Sequence, residues 1–439
     1  MNNSYNQYLS ALRHPFKKLS KLEFLQPDGS VAFSLGNTFK TGYNQPYDSR
    51  AFLQGGTLNV SLQNGQRRSA SLTLSNLDDA FDYSVNKIWF GSQVRLSMGL
   101  VLPNGQEFYL PQGVFYFSDP NKVLNPDSRE MSYQLVDKWA YLDGTLFGQI
   151  PYSHKILEGT NYFAAAQNLL HLSKYNMEDV ASFPKNQIDS VPPVFTDYYN
   201  NLPDISYIFY QPDGTEEIRS AKANETPYEI VTEMGGTVAD SLLEINTSCV
   251  GLIGYDPTGA LRIDSAQASL LDVDKPVLWS FDPANSDFLG LTEVSKNTET
   301  FNSVFVSGEG LSNGIVWARV TNTDPESDTN VYVMGLKTFT ENKAEFWSVK
   351  QCRDWADYTL KQKAIVQKSI SIRSSQMFHL IENNLISVKR IDKEGSPVEK
   401  HLIQSFSIPI GETGEMTINA TSVNDFNLST EVSTSEEES

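Results

Sequence analysis

Residues 58–144 of the chain alternate apolar and polar side chains with a period of two, and that pattern limits what the chain can become. Leu58, Val60 and Leu62 are interleaved with Thr57, Asn59, Ser61 and Gln63. After Asn64-Gly65, Ala70, Leu72 and Leu74 are interleaved with Ser69, Ser71, Thr73 and Ser75. A period of two puts one set on each face of a strand, so this is a hairpin with one buried and one wet face. Val94, Leu96, Met98 and Leu100 lead into the turn Pro103-Asn104-Gly105. Phe108, Leu110 and Val114–Phe117 follow, then Met131, Tyr133 and Leu135, and the stretch closes on Asp137-Lys138-Trp139. About six strands in about ninety residues predict a compact, strongly curved antiparallel sheet or small barrel.

The same turn chemistry recurs along the chain. Gln26-Pro27-Asp28-Gly29, Gln211-Pro212-Asp213-Gly214, Asp256-Pro257-Thr258-Gly259 and Asp392-Lys393-Glu394-Gly395 all separate alternating apolar runs. Pro presets φ, Asp or Asn bonds the local backbone, and Gly supplies a positive φ. With 20 Tyr and 24 Phe, the chain reads as β-rich nearly end to end.

Between these runs the character changes. Residues 1–21 form a polar arm or short helix with a basic cluster, Arg13, His14, Lys17, Lys18 and Lys21, and 22–150 form the first β domain. Residues 151–225 are an insertion with a helix at Thr160–Leu172, a Pro-rich connection and a hairpin at Ile205–Arg219. Residues 226–294 are a small α/β domain. There, Thr226-Pro227-Tyr228-Glu229 predicts a capped short helix, Thr237-Val238-Ala239-Asp240 starts a second, and Cys249–Tyr255 and Ala260–Asp264 are strands. Residues 265–300 read as loop. Residues 295–426 are a second β domain, with a helix capped at Asn342 and running to Lys363, and strands at 366–374, 384–391, 401–410 and 415–422. Residues 427–439, rich in Ser, Thr and Glu with no positive charge, are expected to be a flexible acidic tail.

The search for catalytic chemistry returns no site: no catalytic, cofactor-binding or metal-ligating residue is assigned, and no cofactor is expected. Gly-x-Ser-x-Gly, a Walker loop, His-Glu-x-x-His and a strand-linked Gly-x-Gly-x-x-Gly are all missing. Asp324, Glu326 and Asp328 alternate as in a calcium loop but lack its sixth-position Gly and twelfth-position Glu. Asp137 and Asp143 flank an aromatic cluster and read as strand-end and turn residues. Cys249 and Cys352 read as two buried thiols of a reducing compartment, with a disulfide between them as the alternative. Residues 1–20 have no apolar core of a secretory signal, and no run approaches the roughly 18 apolar residues of a membrane span. The net charge of −19 excludes a surface that grips nucleic acid, which needs Lys and Arg at the phosphates.

The order of the phrases carries a resemblance. Ser71-Leu72-Thr73-Leu74-Ser75-Asn76-Leu77-Asp78-Asp79-Ala80-Phe81 is followed by Trp89–Leu96, by Pro111-Gln112-Gly113-Val114-Phe115-Tyr116-Phe117 and by Val136-Asp137-Lys138. Asp240–Ile245 then runs into Ile253–Ile263, and Asn302-Ser303-Val304-Phe305-Val306-Ser307-Gly308 opens the second β region. Across most of residues 20–425 this succession resembles the baseplate hub and tail-tip proteins of bacteriophages, especially those of Gram-positive hosts. The resemblance implies an α+β, mainly β fold, with two tail-tube-like antiparallel β-barrel domains and smaller α/β domains between them. It implies a structural, non-enzymatic role in the virion, at the tail tip or baseplate, after synthesis in the host cytoplasm. The expected partners are further copies of the chain in a homotrimeric ring, the distal tail protein or tail tube ring, the tape-measure protein, and needle, fibre or receptor-binding proteins. DNA is expected to pass through the ring's channel without specific binding, past an acidic lining. Nothing after residue 425 is long enough for the lytic domain that longer members append, so no such activity is expected. The competing readings are a tail-associated cell-wall-degrading enzyme and a carbohydrate-binding adhesion module.

Overall fold

In the computed structural model, the residues described are 3–26, 29–37, 53–76, 93–124, 129–172, 189, 191–195, 204–210, 215–265, 275–296, 300–309, 314–343, 346–364, 367–411, 414–422 and 429–435. Helix α1 (Asn3–Ala11) precedes seven strands: β1 (Lys18–Leu25), β2 (Val31–Gly36), β3 (Leu53–Ser61), β4 (Arg68–Ser75), β5 (Gln93–Val101), β6 (Glu107–Leu124) and β7 (Arg129–Asp137). The chain then leaves this sheet through a turn of 3-10 helix at Lys138–Tyr141 and builds a second unit. Its elements are β8 (His154–Ile156), α2 (Tyr162–Leu170), β9 (Val194–Phe195), the hairpin β10 (Ile205–Tyr210) and β11 (Glu216–Ala221), β12 (Ile230–Thr232), α3 (Val238–Ser248), β13 (Gly251–Tyr255) and β14 (Leu261–Ser265). Strands β15 (Val277–Phe281) and β16 (Phe288–Lys296) return to the large sheet. A third unit follows, with β17 (Ser303–Gly308), β18 (Val316–Asn322), α4 (Val331–Met334), β19 (Thr338–Asn342) and α5 (Val349–Lys363). Strands β20 (Gln367–Ser374), β21 (Leu385–Lys389), β22 (Val398–Ile410) and β23 (Met416–Ser422) rejoin the large sheet, and β24 (Thr430–Thr434) ends in the third unit.

The two β regions read from the sequence are one 13-stranded sheet. Its order is β16-β20-β23-β22-β3-β4-β7-β6-β5-β1-β2, with β15 and β21 branching from β22, and no closed barrel is found among the described residues. The seam is the antiparallel pair of β22 with β3, in register from Ser405 opposite Ser61 to Ile410 opposite Gly56. The apolar side chains follow it across. Leu58, Val60 and Leu72 from one side and Ile403, Phe406, Ile408 and Ile418 from the other lie in the same buried cluster. Each contributes about 1.5–3 kcal/mol by leaving water, so the seam is held by a core as well as by its ladder. Gly56 lies at φ +140° in β3, where a Cβ would come 1.9 Å from the Ser71 carbonyl oxygen; only glycine lets β4 approach this closely.

Several expectations are corrected. Of the two readings of the N-terminal segment, arm or short helix, the helix α1 is found, and it is packed rather than solvated: Tyr8 and Leu12 are buried in the main core. The Tyr8 hydroxyl hydrogen bonds to His379 Nδ1 at 3.1 Å and accepts from the Phe378 backbone N–H at 2.9 Å. Arg13 lies over the Trp279 ring at 4.6 Å rather than on another molecule. No helix forms at Thr226. Its hydroxyl donates to the Leu157 carbonyl and accepts from the Thr160 N–H, bonds that tie the chain across instead of capping it, and Ile230–Thr232 pairs with β8. The 265–300 stretch contributes β15 and β16. The long helix starts at Ser348, whose hydroxyl accepts from the Gln351 N–H, because Asn342 is the last residue of β19. Thr430–Thr434 of the expected tail forms β24, antiparallel to β18. Cys249 and Cys352 are free thiols, and burial pushes Cys352 up to about 12. Three expected turns and loops, at 27–28, 173–188 and 211–214, lie outside the described residues.

The second unit packs α2 and α3 over β13 and β14 around Leu169, Leu242, Ile253 and Ile263. The helix expected to start at Thr237 is α3, and Thr237 and Asp240 form a capping box there, each side chain accepting from the other's backbone N–H. The third unit packs α5 over the four-stranded sheet β19-β17-β18-β24 through Val304, Val306, Val320, Cys352, Ala356 and Leu360.

Candidate functional site

The outward face of the large sheet is the most unusual surface of the molecule. Where the core face is apolar, the opposite face carries rows of uncharged polar side chains, two of which run straight across the seam. One row is Thr417, Ser407, Asn59 and Ser69; a second is Ser371, Asn419, Ser405 and Ser61; a third is Thr57, Ser71, Gln134 and Ser118. Asn419 Nδ2 donates to Ser405 Oγ at 3.0 Å, and Ser71 Oγ accepts from the Thr57 N–H at 3.1 Å. On the strands from β20 to β7 the charged residues of this face sit at its margin: Arg373, which pairs with Glu415, Glu130 opposite Ser75, and Lys400 near the start of β22; farther along the sheet, on β1 and β5, the face is charged, with Lys21 and Arg95 pairing with Glu23. The chain has 34 Lys and Arg and 53 Asp and Glu, so this exclusion of charge is local. Asn is depleted in strands, and Thr or a β-branched residue would serve a plain exposed face better. A groove of 590 Å³ lies over the seam, lined by Asn59, Gln63, Ser69, Ser405, Ser407 and Asn419, with the buried Arg67 and Arg68 at one end.

Behind one end of this face lies a buried polar joint that fixes the second unit to the sheet. Asp137 ends β7, and its Oδ2 accepts from the backbone N–H of Arg67 and of Arg68, each at 2.9 Å, while Oδ1 accepts from Trp139 N–H at 3.0 Å. Burial pushes the Asp137 carboxyl up to about 6, and the three N–H donors work against that rise by favouring the anion. The Arg68 guanidinium, 1 % exposed, pairs with Glu382 from the segment between β20 and β21. It also donates to the Gln112 carbonyl at 3.2 Å, and to Tyr255 O of the second unit at 3.4 Å. Arg67 donates to the Gln63 carbonyl and packs against Gly254, where a Cβ would come 2.3 Å from its Nε. Gly65 N–H donates to Ile253 O, and Ile253 N–H donates to Asn64 Oδ1, so the Asn64-Gly65 turn is an anchor for β13. Lys138 pairs with Asp189, donates to the Gly259 carbonyl and stands over the Tyr255 ring; burial lowers its pKa against the pull of Asp189.

The residues weighed as chemical candidates fall into structural places. Asp137 is a buried acceptor of backbone N–H groups, whereas the Asp143 side chain accepts from Thr145 N–H in an exposed turn. Asp324 accepts from Glu326 N–H in its own loop. His379 and His401 are buried, and burial lowers both to about 4. Among the described residues no group of three or more His, Cys, Asp or Glu could hold a metal, and no helix is long and apolar enough to cross a membrane. The joint escaped sequence reading because Arg67, Arg68 and Glu382 lie more than 300 positions apart in part. The adjacent arginines beside a strand end were the one available signal.

No protein-family model matches the sequence, and no curated protein sequence matches it. Solved structures do. A tail protein from Neisseria meningitidis MC58 superposes over 92% of this chain and 97% of its own, with a TM-score of 0.56 and 11% identity. The 43 kDa tail protein of prophage MuSo2 from Shewanella oneidensis covers 92% of this chain and 98% of its own, with a TM-score of 0.54 and 12% identity. The chain has the fold of a phage tail protein. The tail-protein fold runs through all three units, since nearly the whole of each chain is covered. The uncharged face and the joint are thus features of this sequence on that fold.

Proposed function

We propose that the chain is a structural hub or tip protein of a phage tail, assembled as a homotrimeric ring that extends or closes the tail tube. The observation that carries this reading is the uncharged face that crosses the β3–β22 seam without interruption. Two β regions fused into one sheet give each copy a double-width wall segment, and three such segments match a sixfold tube ring above. With that face turned inward, DNA and the tape-measure protein meet hydroxyl and amide groups and no row of Lys or Arg. Phosphates need cations to bind, so DNA slides. An uncharged lining replaces the acidic one expected from net charge. The ring's other contacts are the distal tail protein or tube ring on one side and needle, fibre or receptor-binding proteins on the other. The role is not enzymatic: the buried carboxylates Asp137 and Glu382 are taken up by backbone N–H groups and arginines inside the molecule. Imaging of intact particles tests this. A three-copy ring at the tail tip is expected, with Asn59, Ser71 and Ser407 facing the axis; a location outside the tail, or a channel lined by another face, overturns it.

A further inference from the structure

The third unit presents two open sheet edges. Among the described residues β19 pairs only with β17, and β24 only with β18. The two edges match. Each strand has five residues, β19 runs parallel to β17, and β18 runs antiparallel to both β17 and β24, so β19 and β24 point the same way.

Natural edges are protected by Lys, Pro or a bulge. β19 has no Lys, Pro or bulge: Thr338, Thr340 and Asn342 are its exposed side chains, its one charge, Glu341, is turned to the helix side and bonded by Lys343 and Trp355, and its register with β17 is unbroken. Immediately ahead of it, α4 and the following turn expose Tyr332 (80%), Val333 (69%) and Leu336 (57%). This apolar tip is rigid. Asn330 caps α4, while buried Asn302 donates to Gly335 O and accepts from Lys337 N–H. Charge is arranged in the same sense. The loop leaving β18 carries Asp324, Glu326 and Asp328 beside β24, tied there by Thr323 N–H to Ser429 O at 3.0 Å, whereas Lys337 directly precedes β19.

We propose that copies of the chain join edge to edge through this unit, β24 of one copy adding as a parallel strand to β19 of the next. A rotation about an axis along the strands continues the sheet without reversing it. The contact is heterologous, two different edges meeting, and it closes into a ring when the rotation between neighbours divides the circle, as a three-copy ring requires. The apolar tip of one copy then packs beside the end of the neighbour's β24. The contact deepens the ring reading above by naming what joins its members.

Cysteine cross-linking of the full chain tests it. Cys is placed at Thr338, Thr340 or Asn342, each together with Glu431→Cys, and the chain is oxidised at high concentration. At least one double variant is expected to give disulfide-linked oligomers ending in a closed three-copy species, with neither single variant doing so. Dimers from Thr340→Cys alone would mean two-fold pairing of β19 edges and overturn the proposal, as would a chain with no cross-links at any position. Thr340→Lys supplies the second arm. Because the side chain is exposed, the melting temperature should hold while self-association weakens at least about tenfold; unchanged association overturns the contact. Rings imaged in tails without these cross-links would overturn the contact and leave the tail reading standing. Cross-links from a chain that imaging places outside the tail would do the reverse.

Discussion

The seam between β3 and β22 and the joint behind it tie together equally distant parts of the chain by opposite means. At the seam the ladder is backbone, and the side chains beneath it are Leu58, Val60, Phe406 and Ile408. At the joint, Arg67, Arg68, Asp137 and Glu382 are as deeply buried but charged, and they hold backbone carbonyls and N–H groups of three segments. An apolar seam tolerates imperfect packing at graded cost. A buried ion pair fails abruptly when one partner goes, because the other is left charged in a dry site. The joint therefore fixes one placement of the second unit, while the seam supplies the bulk of the cohesion.

Four measurements break or sharpen that contrast. Glu382→Gln should have the largest effect, a loss of about 3–5 kcal/mol in denaturant unfolding, since it removes the carboxylate that Arg68 and Arg67 share; the paired replacement Arg68→Met with Glu382→Leu should recover only part of it, because Arg67 stays buried and charged. Ile408→Ala at the seam should cost about 2–4 kcal/mol, with no comparable rescue from a second substitution.

Acid should separate the two regions. His379 and His401, in the body that contains the seam, titrate near 4 when folded and near 6.5 when unfolded. The unfolded chain takes up protons first, so stability falls as pH drops from 6.5 to 4, by at most about 3 kcal/mol per histidine. Asp137 at the joint works the other way: its folded value is about 6 against 3.8, so its contribution grows as pH falls through that range. His379→Gln with His401→Gln should flatten the acid loss in unfolding titrations from pH 7 to 4, and Asp137→Asn should steepen it. The smallest effect on stability belongs to the wet face. Ser407→Asp should shift unfolding by about 0.5 kcal/mol or less, so a defect in DNA delivery by particles carrying it would come from the face itself.

The individual strands are legible where one face is wet and the other dry: β3, β4, β5, β7, β20, β23 and the second half of β22 follow the period-two rule, whereas β21 is buried on both faces. Their partners are not. Nothing local in Leu58-Asn59-Val60 says that β22 rather than β2 lies beside it, because both would bury the same residues. β15 and β16 were missed since short runs such as Val277–Phe281 carry too few alternations to stand out. The helix expected at Thr226 failed for a physical reason: the cap signature was present, but its hydroxyl found partners at Leu157 and Thr160. The composition of the last residues predicted disorder, yet Val432 packs against the third unit's core and draws β24 into the sheet. The wet rows were read in full at β3 and β4; that they continue through β22 and β23 depended on the long-range register.

The β3–β22 pairing also sets a clock. Its strands lie about 340 residues apart, so at about 5–20 residues per second the ribosome needs roughly 17–70 s between making one and making the other. Through that interval the nascent chain carries β3 with one edge open and half of a shared core exposed. Chaperone capture or premature association with another nascent chain is then the main hazard in its synthesis, and slow-translating stretches between residues 140 and 400 would lengthen it.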